Sequence, residues 1–337
     1  MLQNRITDPK KVSREHLNEV LERGIIPTIQ FSKPGYSRRL LKQVNNYCAE
    51  YGDKLEIRFY GHYSDAFDAA ILKHLPDVRW LSVDCLQSIG NEDAITRLPN
   101  LRKLSFGVYH FDNPSFLATL DLTQITRLAL SDNSKKNFDL SPLTQCHELH
   151  EFFLNGHRKN IESISHLPRL RMLSLGSIAK RQTLEFVNGI PNLEKLTIIL
   201  GGRENIDEVE HASLNELEVL RVRAINTLGD LSRFPGLRRL HVEDQLQLRT
   251  ISFVGTDLEE ISIHNCKNLE QLTGLLELRR LRAFRTSRTK LDLDSLLKAN
   301  WPDSMESVAI YSGSQKWNNR ARQVLDERGY SEYFQRN

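Results

Sequence analysis

The chain has 337 residues, 39% of them hydrophobic and 26% charged, and 46 Lys and Arg stand against 43 Asp and Glu for a formal net charge of +3. That composition is globular and carries enough apolar material for a continuous core, which excludes a disordered chain. The near-neutral total excludes a molecule that acts as a whole as a polycation on nucleic acid or a membrane, so any electrostatic function must be local.

Taken in chain order, the N-terminal residues 1–8 contain no apolar leader, and no apolar run approaches the roughly 20 residues a membrane span needs, which gives the expectation of a cytoplasmic protein with no membrane partner. The one Asn-x-Ser/Thr triplet, Asn113-Pro114-Ser115, is closed to glycosylation by its proline. Cys48, Cys85, Cys146 and Cys266 lie far apart, form neither a zinc knuckle nor a CxxC pair, and are read as reduced thiols. Ser13 ahead of His16, Leu17, Val20 and Leu21, with Gly24 behind them, predicts a short amphipathic helix with start and stop signals. Residues 25–31 read as an edge-like strand, where Pro27 is tolerable. A second helix follows, with Leu40, Leu41, Val44, Tyr47, Cys48 and Tyr51 on its apolar side, then a strand at 55–59 and a third helix at 65–75.

From residue 78 onward three apolar residues recur at relative positions 1, 4 and 6. The frame opens at Val78, Leu101, Ile125, Leu149, Leu170, Leu193, Leu217, Leu237, Leu258, Leu278 and Met305, with steps of 20 to 27 residues and a mean of 22.7. Three residues before it stands another apolar residue in nine of the eleven units, and a proline follows that anchor in five, at Pro76, Pro99, Pro168, Pro191 and Pro235. Proline there ends the preceding turn and sends the chain into an extended strand. Positions 4 and 6 of each frame point inward and positions 3, 5 and 7 outward, because strand side chains alternate faces. The middle units are short, so turns are expected in place of helices. Residues 321–328, before Gly329, predict a closing helix.

This repeat resembles that of the leucine-rich-repeat proteins over residues 54–312, and the strand–helix alternation near the N-terminus is similar to the ribonuclease-inhibitor type of unit. The resemblance implies an α/β solenoid, a curved right-handed horseshoe with one parallel sheet of about 11–13 strands on its concave face and helical caps. Residues 1–53 would form the N-terminal cap, 54–312 the repeat array and 313–337 the C-terminal cap of one continuous domain. Family members commonly carry Asn or Cys three residues after the sixth position. Here those places hold a mixture that includes Asn133, His157, Gly201, Gln245 and Cys266, so an interrupted polar ladder and irregular loops are expected.

No GxGxxG, Walker-type loop, HExxH or GxSxG occurs, so the usual signals of nucleotide, zinc-protease and serine-hydrolase chemistry are absent, and neither cofactor nor catalytic residue is assigned. The densest ligand-like run, Cys146-His147-Glu148-Leu149-His150-Glu151 with His157 nearby, is read as structural and not as a metal site, because its members flank a strand on differing faces. The outward positions are more telling. The frame places Arg221, Arg223, Arg239, Arg280 and Arg282 on one concave surface, with His241, Phe284 and Tyr311 beside them, and arginine and aromatic side chains are the types enriched at interface hot spots. These eight residues form the candidate partner-binding site.

The resulting expectation is a non-enzymatic protein–protein interaction module whose concave arginines meet an acidic partner surface. Its narrower form is an inhibitor or immunity-type protein, by analogy with the ribonuclease-inhibitor resemblance. The alternative is binding of nucleic acid or a phosphate ligand through the same arginines, against which the interspersed glutamates count. An enzyme such as a leucine-rich-repeat ubiquitin ligase would need a catalytic domain beyond the array, and only about 25 residues follow the last frame, too few for one.

Overall fold

The computed structural model describes residues 4–63, 65–134 and 137–334. The chain divides into two compact units, residues 1–170 and 171–337. In the first, strands β1 (Arg5–Thr7), β2 (Thr28–Phe31), β3 (Glu56–Gly61), β4 (Trp80–Leu86), β5 (Lys103–Val108), β6 (Arg127–Leu130) and β7 (Glu151–Asn155) pair in chain order. Every ladder among them is parallel. In the second, β8 (Met172–Gly176), β9 (Lys195–Ile199), β10 (Glu216–Leu220), β11 (Arg239–Glu243), β12 (Glu260–His264), β13 (Ala283–Ser287) and β14 (Ser307–Tyr311) do the same.

The pairing follows from the apolar columns. Leu173, Leu196, Leu217, Leu240, Ile261, Phe284 and Val308 stand opposite one another across the second unit and are all buried. Because each strand is only about five residues long, a single unit cannot cover its own apolar face, and stacking neighbours supplies the missing contacts. Burying each such side chain contributes about 1.5–3 kcal/mol. The return path of most repeats is a 3-10 helix, as at Phe116–Thr119, Ser141–Gln145, Ile161–His166, Glu185–Gly189, Leu231–Arg233 and Leu275–Glu277. These are the turns expected in place of helices.

The ends carry α-helices. Helix α1 (Arg14–Glu22) starts at Ser13, whose side chain accepts a hydrogen bond from the His16 amide, and α2 (Arg38–Tyr51) buries Leu40, Leu41, Val44, Tyr47 and Cys48. At the other end lie α3 (Leu293–Lys298) and α4 (Gln315–Glu327), the latter longer than the sequence indicates because Ser314 caps it. Among the described residues, no helix is long and apolar enough to cross a membrane.

Three expectations need correction. Strand β2 is not an edge, because β1, which the sequence pattern did not reveal, pairs along its outer side. The helix expected at 65–75 is a two-residue strand, Phe67–Asp68, followed by a 3-10 helix at Ala69–His74. Its buried residues Ala69, Leu72 and Leu75 recur every three positions, which suits three residues per turn better than 3.6. Third, two frames slip. The strand after β9 buries Leu217 and Val219, so its frame is Leu214/Leu217/Val219, and β13 buries Phe284 and Thr286, so its frame is Leu281/Phe284/Thr286. Each lies three residues from the expected frame, and the shift reverses which side chains face solvent.

Candidate partner-binding face

With the register corrected, the solvent face of the second unit consists of three cross-strand rows. The first runs Met172, Lys195, Glu216, Arg239, Glu260, Ala283, Ser307; the second Ser174, Thr197, Glu218, His241, Ser262, Arg285, Ala309; the third Gly176, Ile199, Leu220, Glu243, His264, Ser287, Tyr311. Charges of opposite sign therefore alternate on neighbouring strands. Lys195 Nζ donates to Glu216 and Glu218, each at 2.7 Å, and Arg239 Nε donates to the other Glu216 oxygen at 2.8 Å. Burial alone would raise the Glu216 carboxyl, but the bonds from Lys195 and Arg239 overcome it and hold it at about 2.

A cavity of about 510 Å³ opens on this face, its lining including Glu216, Glu218, Glu260, His264 and Arg285. His241 and His264 lie with ring centroids 5.7 Å apart. His264 Nε2 lies 2.8 Å from Ser262 Oγ and its Nδ1 3.0 Å from Ser287 Oγ. Burial, followed by electrostatic interaction with His241 and Arg285, holds that imidazole below its ordinary value. Among the described residues, Arg285 has no carboxylate within ion-pair distance. Its guanidinium donates to the backbone carbonyl of Glu332 at 3.1 Å.

Of the eight candidate residues, Arg239, His241 and Tyr311 lie on this face. Arg221 is the residue just past β10, left-handed at φ 54°, with its side chain turned to Asp244 at 3.0 Å, and Arg223 sits exposed in the turn beyond it. Arg280 is exposed in the turn before β13, and Arg282 sits at the start of that strand, paired with Glu306 at 2.7 Å. Phe284 is core, only 1% exposed and packed against Trp301 at 5.1 Å. The five arginines thus do not share one surface. Several acidic residues between 204 and 218 pair with cations of neighbouring repeats, Glu204 with Lys180, Asp207 with Arg233, and Glu216 and Glu218 with Lys195, while Glu208 pairs with Arg203 of its own loop.

A search of solved structures returns the same architecture. The Toll chain of the Drosophila Toll–Spätzle complex matches with a TM-score of 0.53 and 15% identity over 91% of this chain, which spans 46% of that one. The fold is that of a leucine-rich-repeat protein. Weaker likenesses include an internalin of Listeria monocytogenes, with TM-score 0.48 and 16% identity over 85% of this chain and 78% of the other. A leucine-rich-repeat protein of Leptospira interrogans gives TM-score 0.42 and 12% identity over 95% and 92%. No family model and no curated sequence matches the chain.

In this leucine-rich-repeat protein the polar ladder is chemically diverse where the sequence suggested interruption. His157 is buried and neutral, pushed down by burial. Its Nδ1 accepts from the Phe138 amide at 3.2 Å, so Nε2 carries the proton and donates to the Ser131 carbonyl at 2.8 Å. Gln245, wholly buried, donates to the carbonyls of Val219 and Glu243, and the Cys266 thiol, pushed up to about 11 by burial, lies 3.4 Å from the His264 carbonyl. At Gly201, φ +82°, a side chain would meet the Ile178 carbonyl at 2.9 Å, so glycine is required there. Cys146, Leu149 and His157 of the ligand-like run are interior, while Glu148 and Glu151 pair with Arg169 and Arg127. Among the described residues no three His, Cys, Asp or Glu side chains converge as metal ligands.

The frame missed Arg285, Glu216 and Glu218. A signal for them existed. Opening the two slipped frames at Leu214 and Leu281 gives steps of 21, 23, 21, 23 and 24 from Leu193 to Met305, more even than the 24, 20, 21, 20 and 27 of the original frame.

Proposed function

We propose that the protein is a non-enzymatic binding module that holds another protein against the solvent face of β8–β14, and that an acidic side chain of the partner enters the cavity beside Arg285. The observation that carries this reading is Arg285, a cation on that face which, among the described residues, has no carboxylate within ion-pair distance and donates to a backbone carbonyl instead. A guanidinium in such a place suits bidentate pairing with a carboxylate. Lys195 and Arg239 are already committed to Glu216 and Glu218, so they contribute shape and a fixed field more than free charge. The leucine-rich-repeat scaffold supports the reading in general, since outward residues vary without disturbing the core. The Toll chain was itself solved as a complex with Spätzle.

The narrower form is an inhibitor or immunity-type protein acting in the cytoplasm, where the free thiols of Cys48, Cys85, Cys146 and Cys266 would stay reduced. It requires that the partner's activity fall in titration with this chain. The nucleic-acid alternative rested on five arginines in one register, and Arg239 alone of the five lies on the face. The test is to isolate the partner by affinity capture from the native host and then measure binding of the purified pair. Arg285→Glu weakens it by more than about tenfold, since like charges would face each other across a desolvated contact. Unchanged affinity in a variant with unchanged Tm overturns the proposal.

A further inference from the structure

Beyond α4, residues 329–334 stay against the molecule. Gly329, at φ +86°, ends the helix, and Ser331 then lies along the outer side of β14: the Val308 amide donates to its carbonyl at 3.1 Å, and its own amide donates to the Glu306 carbonyl at 3.0 Å. From there the segment turns over the sheet face. The Glu332 carbonyl takes the Arg285 guanidinium at 3.1 Å, and the Glu332 carboxylate accepts the Tyr311 hydroxyl. Two residues on, Phe334 forms part of the cavity wall, with the Arg282 guanidinium 5.0 Å from its ring centroid. Tyr333, between them, is 72% exposed.

Three features set this segment apart from an ordinary terminal cap. Among the described residues, it uses a cation of this face, Arg285, that has no carboxylate within ion-pair distance. Its attachment to β14 there is a single bridge, so little cooperative sheet structure holds it. And its side chains divide, Glu332 and Phe334 engaged with the face and Tyr333 between them outward.

We propose that residues 331–334 are an intramolecular strap occupying the partner-binding cavity, and that the ligand displacing it is an extended segment of a partner protein with a carboxylate two residues before an aromatic ring. This deepens the proposed function and rests on that reading of the face. In the closed state the strap satisfies Arg285 through a carbonyl. A partner segment that instead offered Arg285 a carboxylate, while seating its ring where Phe334 lies, would make the stronger charge-assisted contact and free the strap. Partner binding and strap closure would then be mutually exclusive, which reduces the apparent affinity by the fraction of molecules that are open.

The experiment uses a fluorescein-labelled peptide of sequence Gly-Tyr-Ser-Glu-Tyr-Phe, that of residues 329–334, titrated in fluorescence anisotropy against three full-length proteins. These are the parent, an opened variant with Glu332→Ala and Phe334→Ala, and the opened variant carrying Arg285→Glu as well. The proposal expects the opened variant to bind the peptide at least about tenfold more tightly than the parent, and Arg285→Glu to remove that gain. Equal affinity for parent and opened variant, or retention of the gain with Arg285→Glu, overturns it, provided circular dichroism shows all three folded. Should one fail to fold, hydrogen exchange on the parent decides. Excess peptide must then speed exchange of the Ser331 amide, which loses its Glu306 acceptor when the strap is displaced, and protection of that amide unchanged by peptide overturns the strap. If the peptide experiment fails while Arg285→Glu still weakens the captured partner, the strap is wrong and the face remains the binding site. If both fail, the proposed function falls with it.

Discussion

On the face of residues 4–170, Arg58 alone opposes Asp84, at 2.7 Å; on the face of residues 171–334, Glu216 takes both Lys195 and Arg239. The outcomes differ in sign. Burial pushes the Asp84 carboxyl above its usual range in spite of Arg58, whereas two cations hold Glu216 at about 2 in spite of burial. Arg58 is itself raised, which favours the charged pair that the Asp84 shift opposes. The short contact with a permanently charged guanidinium decides for ionisation at neutral pH. Lys103 and Arg127 both stack on Trp80, at 4.4 and 5.1 Å, and Arg127 reaches Glu151 at 3.1 Å. Each face thus leaves a cation to a backbone carbonyl, Lys103 to that of Asp53 at 3.2 Å while it stacks on Trp80, and Arg285 to that of Glu332, which belongs to the C-terminal segment.

The comparison depends on which residues face solvent, so the largest effects test the register. Leu217→Asp would bury an unpaired carboxylate in the core and should cost about 3–5 kcal/mol, whereas Leu220→Asp, outward on the same strand, should cost no more than about 1 kcal/mol by thermal melt. Phe284→Ala, at a position the sequence frame placed outside, should cost about 3–5 kcal/mol because it opens a cavity against Trp301. Equal losses at Leu217 and Leu220 would break the assignment.

The next effect separates the two faces by pH. Glu216 is depressed in the fold from an ordinary 4.5 to about 2, so its contribution is fully present above pH 4.5 and is lost as pH falls from there toward about 2. That contribution is at most about 3 kcal/mol, reduced by partial solvent screening. Glu216→Gln should therefore flatten the acid limb of stability against pH. Asp84 is raised, so its ionised form is the less favoured one in the fold, and stability gains as pH falls through its folded value. Asp84→Asn should leave no loss of acid-limb steepness. Denaturant melts between pH 2 and 7 check both, and a flattening by Asp84→Asn instead would contradict the contrast.

A smaller effect belongs to the first face. Trp80→Leu removes two stacked cations' partner and should cost about 1–2 kcal/mol by denaturant melt, with no change in partner binding. The smallest is expected for Arg280→Glu. Arg280 is exposed in the turn before β13, so Tm should barely move and binding should change by less than about threefold. A tenfold loss there, without one at Arg285, would return the binding site to the arginines the sequence singled out.

Much of the architecture is written in the spacing of Leu, Val and Ile, because a period near 23 with three apolar positions leaves few ways to bury them. Leu128, Leu173, Leu196 and Leu240 fall in the core as that period requires. The face was less legible for a specific reason. Around β10 both Leu214/Leu217/Val219 and Leu217/Leu220/Val222 satisfy the apolar rule. Around β13 the true frame ends on Thr286, buried yet polar, while the slipped one ends on Ala283. Hydrophobicity alone preferred the wrong choice at Thr286. A slip of three residues, an odd number, exchanges the two faces of the strand, so it left the fold intact and moved every arginine but Arg239 to the wrong place. The strap over β14 was not legible at all, since a Glu-Tyr-Phe sequence carries no periodicity that fixes where it folds back.

The most direct check on this account is thiol accessibility on β10. With Cys85, the exposed native cysteine, replaced by serine, Val219→Cys and Leu220→Cys are made separately and treated with an alkylating reagent under native conditions, and modification is mapped by mass spectrometry. Cys at 220 should be modified rapidly and Cys at 219 only after denaturation, because Val219 is buried and Leu220 faces solvent. Rapid labelling at 219 with protection at 220 would contradict the register and, with it, the face on which Glu216, Arg239 and Arg285 meet.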